Sequence, residues 1–319
     1  MSGMYLWGIE VIKVIQVIKT PVLTAIIKSI TALGTEVFYL PVILFIFWWA
    51  DEKQGLRFGI LILVAAWINS FVKDLWKQPR PFNLDPSLGL AYEPTYGAPS
   101  GHAQQSLAFW VAFAAWLSNK WKEERPARKK LIIWAVSIFM VLLIAYTRLY
   151  LGVHFPTDIF AGWIFAGLVL AVYFLFGPRL QEFFGTKGVR FQNIAAAVVV
   201  MIMNGLYPQD RMLPAVLLGF CLGYTQMKKR FPFCARAEIN GKKPGLSIII
   251  LRSVTGLAGV AIIYLGLKLI FPAEGSSYYE LGRFVRYCAI GFWASAGAPL
   301  VFQRIKLASR VNNENTGSR

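Results

Sequence analysis

Residues 131–176 read LIIWAVSIFMVLLIAYTRLYLGVHFPTDIFAGWIFAGLVLAVYFLF. Two apolar runs, 131–147 and 156–176, are each long enough, or nearly so, to cross a hydrocarbon core of about 30 Å. The stretch that joins them keeps an arginine, Arg148, and a histidine, His154, and an aspartate, Asp158, follows at the start of the second run. Pro156 suits the first turn of the second helix and disfavours helical backbone at Phe155. His154 is therefore expected just ahead of that helix, with Asp158 in its first turn. The carboxylate can reach back to one imidazole nitrogen and leave the other free to attack or to accept a proton.

Runs of the same kind recur at 36–50, 55–73, 102–119, 193–208, 212–227, 246–271 and 283–303. The chain has 319 residues, 56% hydrophobic and 15% charged, where soluble domains carry about 25% charged residues. A soluble globular protein is excluded, and so is a disordered one, which needs low hydrophobicity. Three cysteines and two histidines give neither a disulfide framework nor a His-rich metal site. The expected fold is all-α, a polytopic transmembrane helical bundle. Residues 4–33 alternate apolar and polar and are split by Pro21, which predicts one or two amphipathic helices at the interface, with a single tilted span as the alternative. The expected organisation is 1–35 N-terminal interfacial helices, 36–176 a core, 177–305 additional transmembrane helices and 306–319 a polar tail.

The net charge of +17, from 33 Lys+Arg against 16 Asp+Glu, is a matter of topology. A nucleic-acid-binding domain would gather its cations on one soluble face; here they fall between apolar runs. Loop 118–131 holds Lys120, Lys122, Arg125, Arg128, Lys129 and Lys130, loop 177–192 holds Arg179, Lys187 and Arg190, and loop 227–245 holds Lys228, Lys229, Arg230, Arg236, Lys242 and Lys243. The tail adds Arg304, Lys306, Arg310 and Arg319, and Lys53 and Arg57 join the same side. The other side has only Lys73, Lys77, Arg80, Arg148, Arg211 and Arg283. The positive-inside rule makes the first set cytoplasmic.

On the poorly charged face, three segments carry both histidines of the chain. They are Lys73-Asp-Leu-Trp-Lys-Gln-Pro-Arg80-Pro81, then Pro99-Ser100-Gly101-His102, then Thr147-Arg148 with His154 and Asp158. Arg80 and Arg148 offer planar forks that fit phosphate oxygens, and Lys73 a point charge. Ser100 is a good helix N-cap, Gly101 lets backbone approach closely, and the N–H groups that open the next helix can cradle an anion. The constellation is an anion site with acid/base equipment. Lys77 is read as a snorkelling residue.

These segments resemble the three-part phosphatase signature of the type 2 phosphatidic acid phosphatase family, in its membrane-embedded branch. Its first motif is matched by Lys73, Arg80 and Pro81, its second by residues 99–102 without change, and its third by Thr147, Arg148, His154 and Asp158, with Thr in place of Ser. The resemblance covers about residues 1–176; residues from about 190 onward lie outside it. It implies a six-helix phosphatase core, leaving about four additional C-terminal spans. It also implies His154 as a nucleophile that forms a phosphohistidine, Asp158 as its orienting group, and His102 as general acid and then base. Lys73, Arg80, Ser100, Gly101 and Arg148 would hold the phosphoryl oxygens, with no metal and no cofactor, since three cations do the work of a divalent ion.

The expectation is an integral membrane lipid phosphatase acting on a lipid phosphomonoester or pyrophosphate. It would sit in a bacterial cytoplasmic membrane with the site facing outward and the C-terminus in the cytoplasm. Its partners would be the lipid substrate and membrane lipids, not nucleic acid. Two alternatives stand beside it: a lipid phosphotransferase with the same phosphohistidine chemistry, and a non-enzymatic lipid-binding or transport relative. The C-terminal spans are assigned to packing, homodimerisation or a lateral opening for lipid, without a choice among them. Loop 74–98, with Tyr92 and Tyr96, either caps the site or touches the lipid headgroup, or is an ordinary connection with interfacial aromatics. Arg252, Lys268 and Arg286, near span ends, are expected to snorkel, and the cysteines to be inert.

Overall fold

The structure is a computed structural model that describes residues 3–120, 127–239 and 241–309. Lys122, Arg125 and the tail from Arg310, including Arg319, lie outside the described residues. All the regular elements are helices: α1 Gly3–Gln16, α2 Pro21–Thr31, α3 Glu36–Phe45, α4 Glu52–Trp76, α5 Pro81–Leu84, α6 Gly101–Lys120, α7 Ala127–Tyr150, α8 Pro156–Leu175, α9 Gly177–Thr186, α10 Val189–Leu206, α11 Met212–Arg230, α12 Leu246–Ile270, α13 Tyr279–Phe292 and α14 Ala298–Arg304. Every apolar run read from the sequence falls on a helix. Among the described residues, six helices are long and apolar enough to cross a membrane, and the pair Pro21–Gly34 with Glu36–Ala50, bent by 49°, makes a seventh if it is one span. The helices over 102–119 and 212–227 are not among the six. Helix α6 shows why: Gln104, Gln105 and Ser106 are buried among neighbouring helices, and a helix shielded from lipid has no need to be apolar throughout.

The chain divides into two compact units, residues 1–40 with 64–178, and residues 41–63 with 179–319. In the first, α6 packs on α7 and α8 around Ala103, Ala145 and Ile159. Asn69 donates to the Gln104 side chain at 2.8 Å and to the Pro99 carbonyl at 3.2 Å, which ties α4 to the start of α6. The outward face of α7 shows Leu131, Phe139 and Leu142, a surface suited to lipid tails. Residues 4–33 form two helices with Pro21 opening the second. Helix α1 places Ile9 and Ile12 against Leu88 and Phe155, and Gln16 donates to the carbonyls of Leu88 and Tyr150 at 2.9 and 2.8 Å.

The second unit is held by close backbone approach. A Cβ on Gly219 would meet the Cys288 carbonyl oxygen at 1.9 Å, and one on Gly291 the Val216 carbonyl oxygen at 2.3 Å, so α11 and α13 fit together through reciprocal glycines. Two expectations fail here. Arg252 is 1% exposed and donates to the carbonyls of Trp48, Ala235 and Leu307. Arg286 is buried, with its guanidinium over the rings of Tyr264 and Tyr287 at 5.3 and 5.5 Å. Neither snorkels, because each finds carbonyls or aromatic faces inside the protein that replace water. Lys268 is exposed, as expected.

Candidate active site

The corner between α7 and α8 is built as its residues require. Gly152 has φ +65°, and a Cβ there would lie 2.0 Å from the Leu88 carbonyl oxygen, so the turn admits only glycine. Phe155 is extended at φ −75° and ψ 158°, and Pro156 opens α8. Asp158 then accepts from the Phe155 backbone N–H at 2.9 Å and from His154 Nδ1 at 3.3 Å, both through Oδ2. One carboxylate thus caps the helix and fixes the imidazole, so that Nδ1 carries the proton and Nε2 the lone pair.

The second segment docks on the third through backbone. The Ser100 N–H donates to the Asp158 main-chain carbonyl at 2.8 Å, and the Ser100 hydroxyl lies 3.5 Å from the Ala103 N–H in the first turn of α6. Gly101 begins α6 beside Asn69, and His102 follows in the same turn. On its other side, a Cβ on Gly34 would sit 2.9 Å from His102 Cδ2.

The three cations reach this corner by different contacts, and Arg80 meets His154 directly. Arg80, 1% exposed, places Nη1 at 3.3 Å from His154 Nε2 and at 2.8 Å from the Val153 carbonyl oxygen. Lys73 donates to the carbonyls of Tyr96 and Gly97 at 2.8 and 3.1 Å. Arg148 Nη1 donates to the Thr31 hydroxyl at 2.7 Å, and its buried Nε has no hydrogen-bond partner among the described residues. Lys77 ends α4 with φ 49° and its side chain exposed, away from this cluster.

Sequence reading missed three residues here. Glu93 bridges the two arginines, accepting from Arg80 Nη2 at 2.8 Å through Oε2 and from Arg148 Nη2 through Oε1. Thr95 accepts from Arg80 Nε through its carbonyl at 2.6 Å and from Nη2 through its hydroxyl at 2.9 Å. Thr31, from the N-terminal helices, completes the surroundings of Arg148. The connection over 93–97 therefore touches all three cations and is no ordinary loop. The one available signal is charge balance: three buried cations call for an anion nearby.

Burial, and then the charges of Lys73, Arg80, Arg148 and His102, push the His154 imidazole well below its usual range. It stays neutral at physiological pH, with a lone pair available for attack. Burial alone would raise the Glu93 carboxyl, but Arg148, Arg80 and His102 outweigh it and hold Glu93 below the usual carboxylate range. A neutral imidazole, fixed by a carboxylate and facing preorganised cations, can add to phosphorus while the cations carry the charge that builds on the oxygens.

Known proteins extend this picture. An undecaprenyl-diphosphatase of Sulfolobus acidocaldarius is 29% identical over 50% of this chain and 72% of its own length. Sphingosine-1-phosphate phosphatase 1 of Rattus norvegicus is 28% identical over 48% of this chain, but the match spans only 35% of that protein. The crystal structure of a transmembrane PAP2-type phosphatidylglycerolphosphate phosphatase from Bacillus subtilis, 25% identical, aligns with 57% of this chain and 88% of its own at a TM-score of 0.49. The PAP2 superfamily model matches residues 54–182 and so takes in all three segments. A second model, the PAP2 superfamily phosphatase transmembrane extension, matches residues 212–310, which corrects the expectation that everything beyond about residue 190 lies outside the family. With one model on the site and the other on the helices that follow it, the chain belongs to the PAP2 superfamily of phosphatases and carries its transmembrane extension.

Proposed function

We propose that the protein is a metal-independent membrane phosphatase that hydrolyses a lipid phosphomonoester or pyrophosphate through a phosphohistidine at His154, on the extracytoplasmic face. The observation that carries this reading is the setting of His154: Nδ1 is 3.3 Å from Asp158 and Nε2 is 3.3 Å from Arg80, so the attacking nitrogen already lies against a phosphate-binding cation. In the first step Nε2 forms a bond to phosphorus, the bond from phosphorus to the lipid oxygen breaks, and His102 gives the leaving oxygen its proton. In the second step water attacks phosphorus, His102 takes the water's proton, and the N–P bond breaks to release inorganic phosphate and free His154. Lys73, Arg80, Arg148, the Ser100 hydroxyl and the Gly101 N–H hold the phosphoryl oxygens throughout. These cations supply the positive charge that a divalent ion supplies elsewhere. The names of the relatives support lipid phosphates and diphosphates as the substrate class.

The test is phosphate release by the purified full chain in detergent with EDTA present. The panel is phosphatidic acid, phosphatidylglycerol phosphate, undecaprenyl pyrophosphate, sphingosine phosphate and a soluble phosphoester, with His154→Ala as control. Release that persists in EDTA and vanishes in the variant is the expected result, and the best substrate names the lipid class. No release from any member, together with label appearing on a second lipid, would replace hydrolysis by phosphotransfer.

A further inference from the structure

The guanidinium groups of Arg80 and Arg148 are already bridged by an anion, and it belongs to the protein. Glu93 sets one carboxylate oxygen on each arginine. The Arg80 nitrogen it binds, Nη2, is neighbour to the Nη1 that touches His154 Nε2. The carboxylate therefore lies where two oxygens of a phosphoryl group under attack by His154 would have to lie. Neither arginine depends on it for position. Arg80 keeps Thr95 and Val153 as partners, and Arg148 keeps Thr31.

Among the charged groups here Glu93 is also the outermost. Its side chain is 27% exposed, whereas those of Arg80 and Arg148 are 1% and 2% exposed. The backbone around it is pinned, by Leu90 N–H to the Leu151 carbonyl and by Gly97 N–H to the Gln78 carbonyl. The side chain can swing to water while the loop stays in place.

We propose that Glu93 is a resident competitor for the phosphoryl seat: it occupies the arginine pair when the site is empty, yields to the phosphate headgroup, and returns to expel inorganic phosphate. The idea rests on reading this cluster as a phosphoryl site. Three buried cations with only Asp158, itself committed to His154, to offset them would bind the product phosphate tightly and would themselves carry a heavy desolvation penalty. An internal carboxylate removes both problems. It weakens substrate and product by a similar factor, which raises KM and leaves the chemical step alone.

The probe is inorganic phosphate. Its dissociation constant is read from thermal shifts of the full chain in detergent, a measurement that needs no turnover, and its Ki and the substrate KM are read from hydrolysis. Glu93→Gln keeps the shape and removes the charge; Glu93→Asp keeps the charge but draws it back by one methylene. Phosphate affinity should rise about tenfold or more in Glu93→Gln, with Glu93→Asp between it and the parent, because exchange of a charge-assisted pair for a neutral one is worth at least that much. KM should fall by a similar factor. Phosphate affinity that is unchanged or weaker in Glu93→Gln, or a fall in kcat with KM constant, would overturn the proposal and make Glu93 a positioning residue. The two readings fail separately. A parent chain that hydrolyses nothing, but whose Glu93→Gln variant binds phosphate more tightly, removes hydrolysis and keeps the competitor. Normal hydrolysis with no change in phosphate binding does the reverse.

Discussion

Arg148 and Arg252 are both almost fully buried, 2% and 1% exposed, yet the two units hold them by different means. Arg252 gives its N–H groups to three main-chain carbonyls, those of Trp48, Ala235 and Leu307, and faces the Phe233 ring at 5.4 Å. Those acceptors are fixed by the fold and cannot leave. Arg148 gives its N–H groups to a threonine hydroxyl and to a carboxylate on a partly exposed side chain, and each arginine leaves one buried nitrogen unpaired among the described residues, Nε in Arg148 and Nη2 in Arg252. A cation satisfied by carbonyls is a brace. A cation whose main partner is a movable anion can exchange that partner for a ligand. Burial and charge alone do not separate the two; the chemistry of the acceptors does.

The sharpest way to break this comparison is to remove each arginine in turn. Arg148→Ala should lower kcat/KM by about 10²- to 10³-fold, the usual cost of deleting one preorganised donor to a charged transition state, with a melting midpoint close to the parent's. Arg252→Ala should do the opposite. It strands three buried carbonyls and costs about 3 kcal/mol or more, so the melting midpoint in detergent falls while turnover per folded molecule is kept. A folded, inactive Arg252→Ala protein, or an unfolded Arg148→Ala protein, would erase the distinction.

The same electrostatics set a pH window. His154 lies well below the ordinary imidazole range and Glu93 below the ordinary carboxylate range. A lowered imidazole stays neutral as pH falls through 6.5, and a lowered carboxyl stays ionised as pH falls through 4.5. Nucleophile and bridge therefore both survive mild acid. An unperturbed histidine would lose about tenfold of its neutral form between pH 7.5 and 5.5. Here kcat/KM, divided by the separately measured dianionic fraction of the substrate, should not fall toward pH 5.5 and should instead rise, because His102 gains the proton it gives to the leaving oxygen as pH falls. A tenfold fall would mean that His154 titrates as an ordinary imidazole.

What the sequence disclosed, and what it hid, follows from the range of the interactions. The meeting of His154 and Asp158 is local: a proline-opened helix with a carboxylate in its first turn has one place to send it. The apolar runs are local too, and all are helical. Glu93 was invisible because its partners lie 55 residues away at Arg148 and on the far side of a proline turn at Arg80. A lone acidic residue in an irregular loop has no period to betray it. Arg252 was misread because hydropathy says how near a residue is to a span end, not which face it occupies. The signal was present all the same: Arg252, Gly256 and Gly259 recur at helical spacing and are the buried residues of α12. A face of glycines is one that another element approaches closely, so a cation on it points inward. The transmembrane extension over 212–310 carries none of the three motifs, and a reading anchored on catalytic residues had no purchase on it.

Thr31 is the smallest contribution and the one that tests how far the site reaches. It comes from the end of α2, more than 100 residues before Arg148, and its hydroxyl accepts from Arg148 Nη1 at 2.7 Å and pairs with the Thr147 hydroxyl at 3.0 Å. Thr31→Val keeps the shape and removes the acceptor. Arg148 would then lose a neutral partner while keeping Glu93. One hydrogen bond to a charged group is worth about 1.5–3 kcal/mol when it is fully lost, and a side chain that can turn toward water recovers much of that. The expected result is a rise in KM of about threefold to tenfold, with kcat within about twofold of the parent. Thr31→Ser, which restores the hydroxyl, should return KM to the parent value. If Thr31→Val leaves KM unchanged, the N-terminal helices support the fold alone, and Arg148 is positioned by Glu93 rather than lent to it.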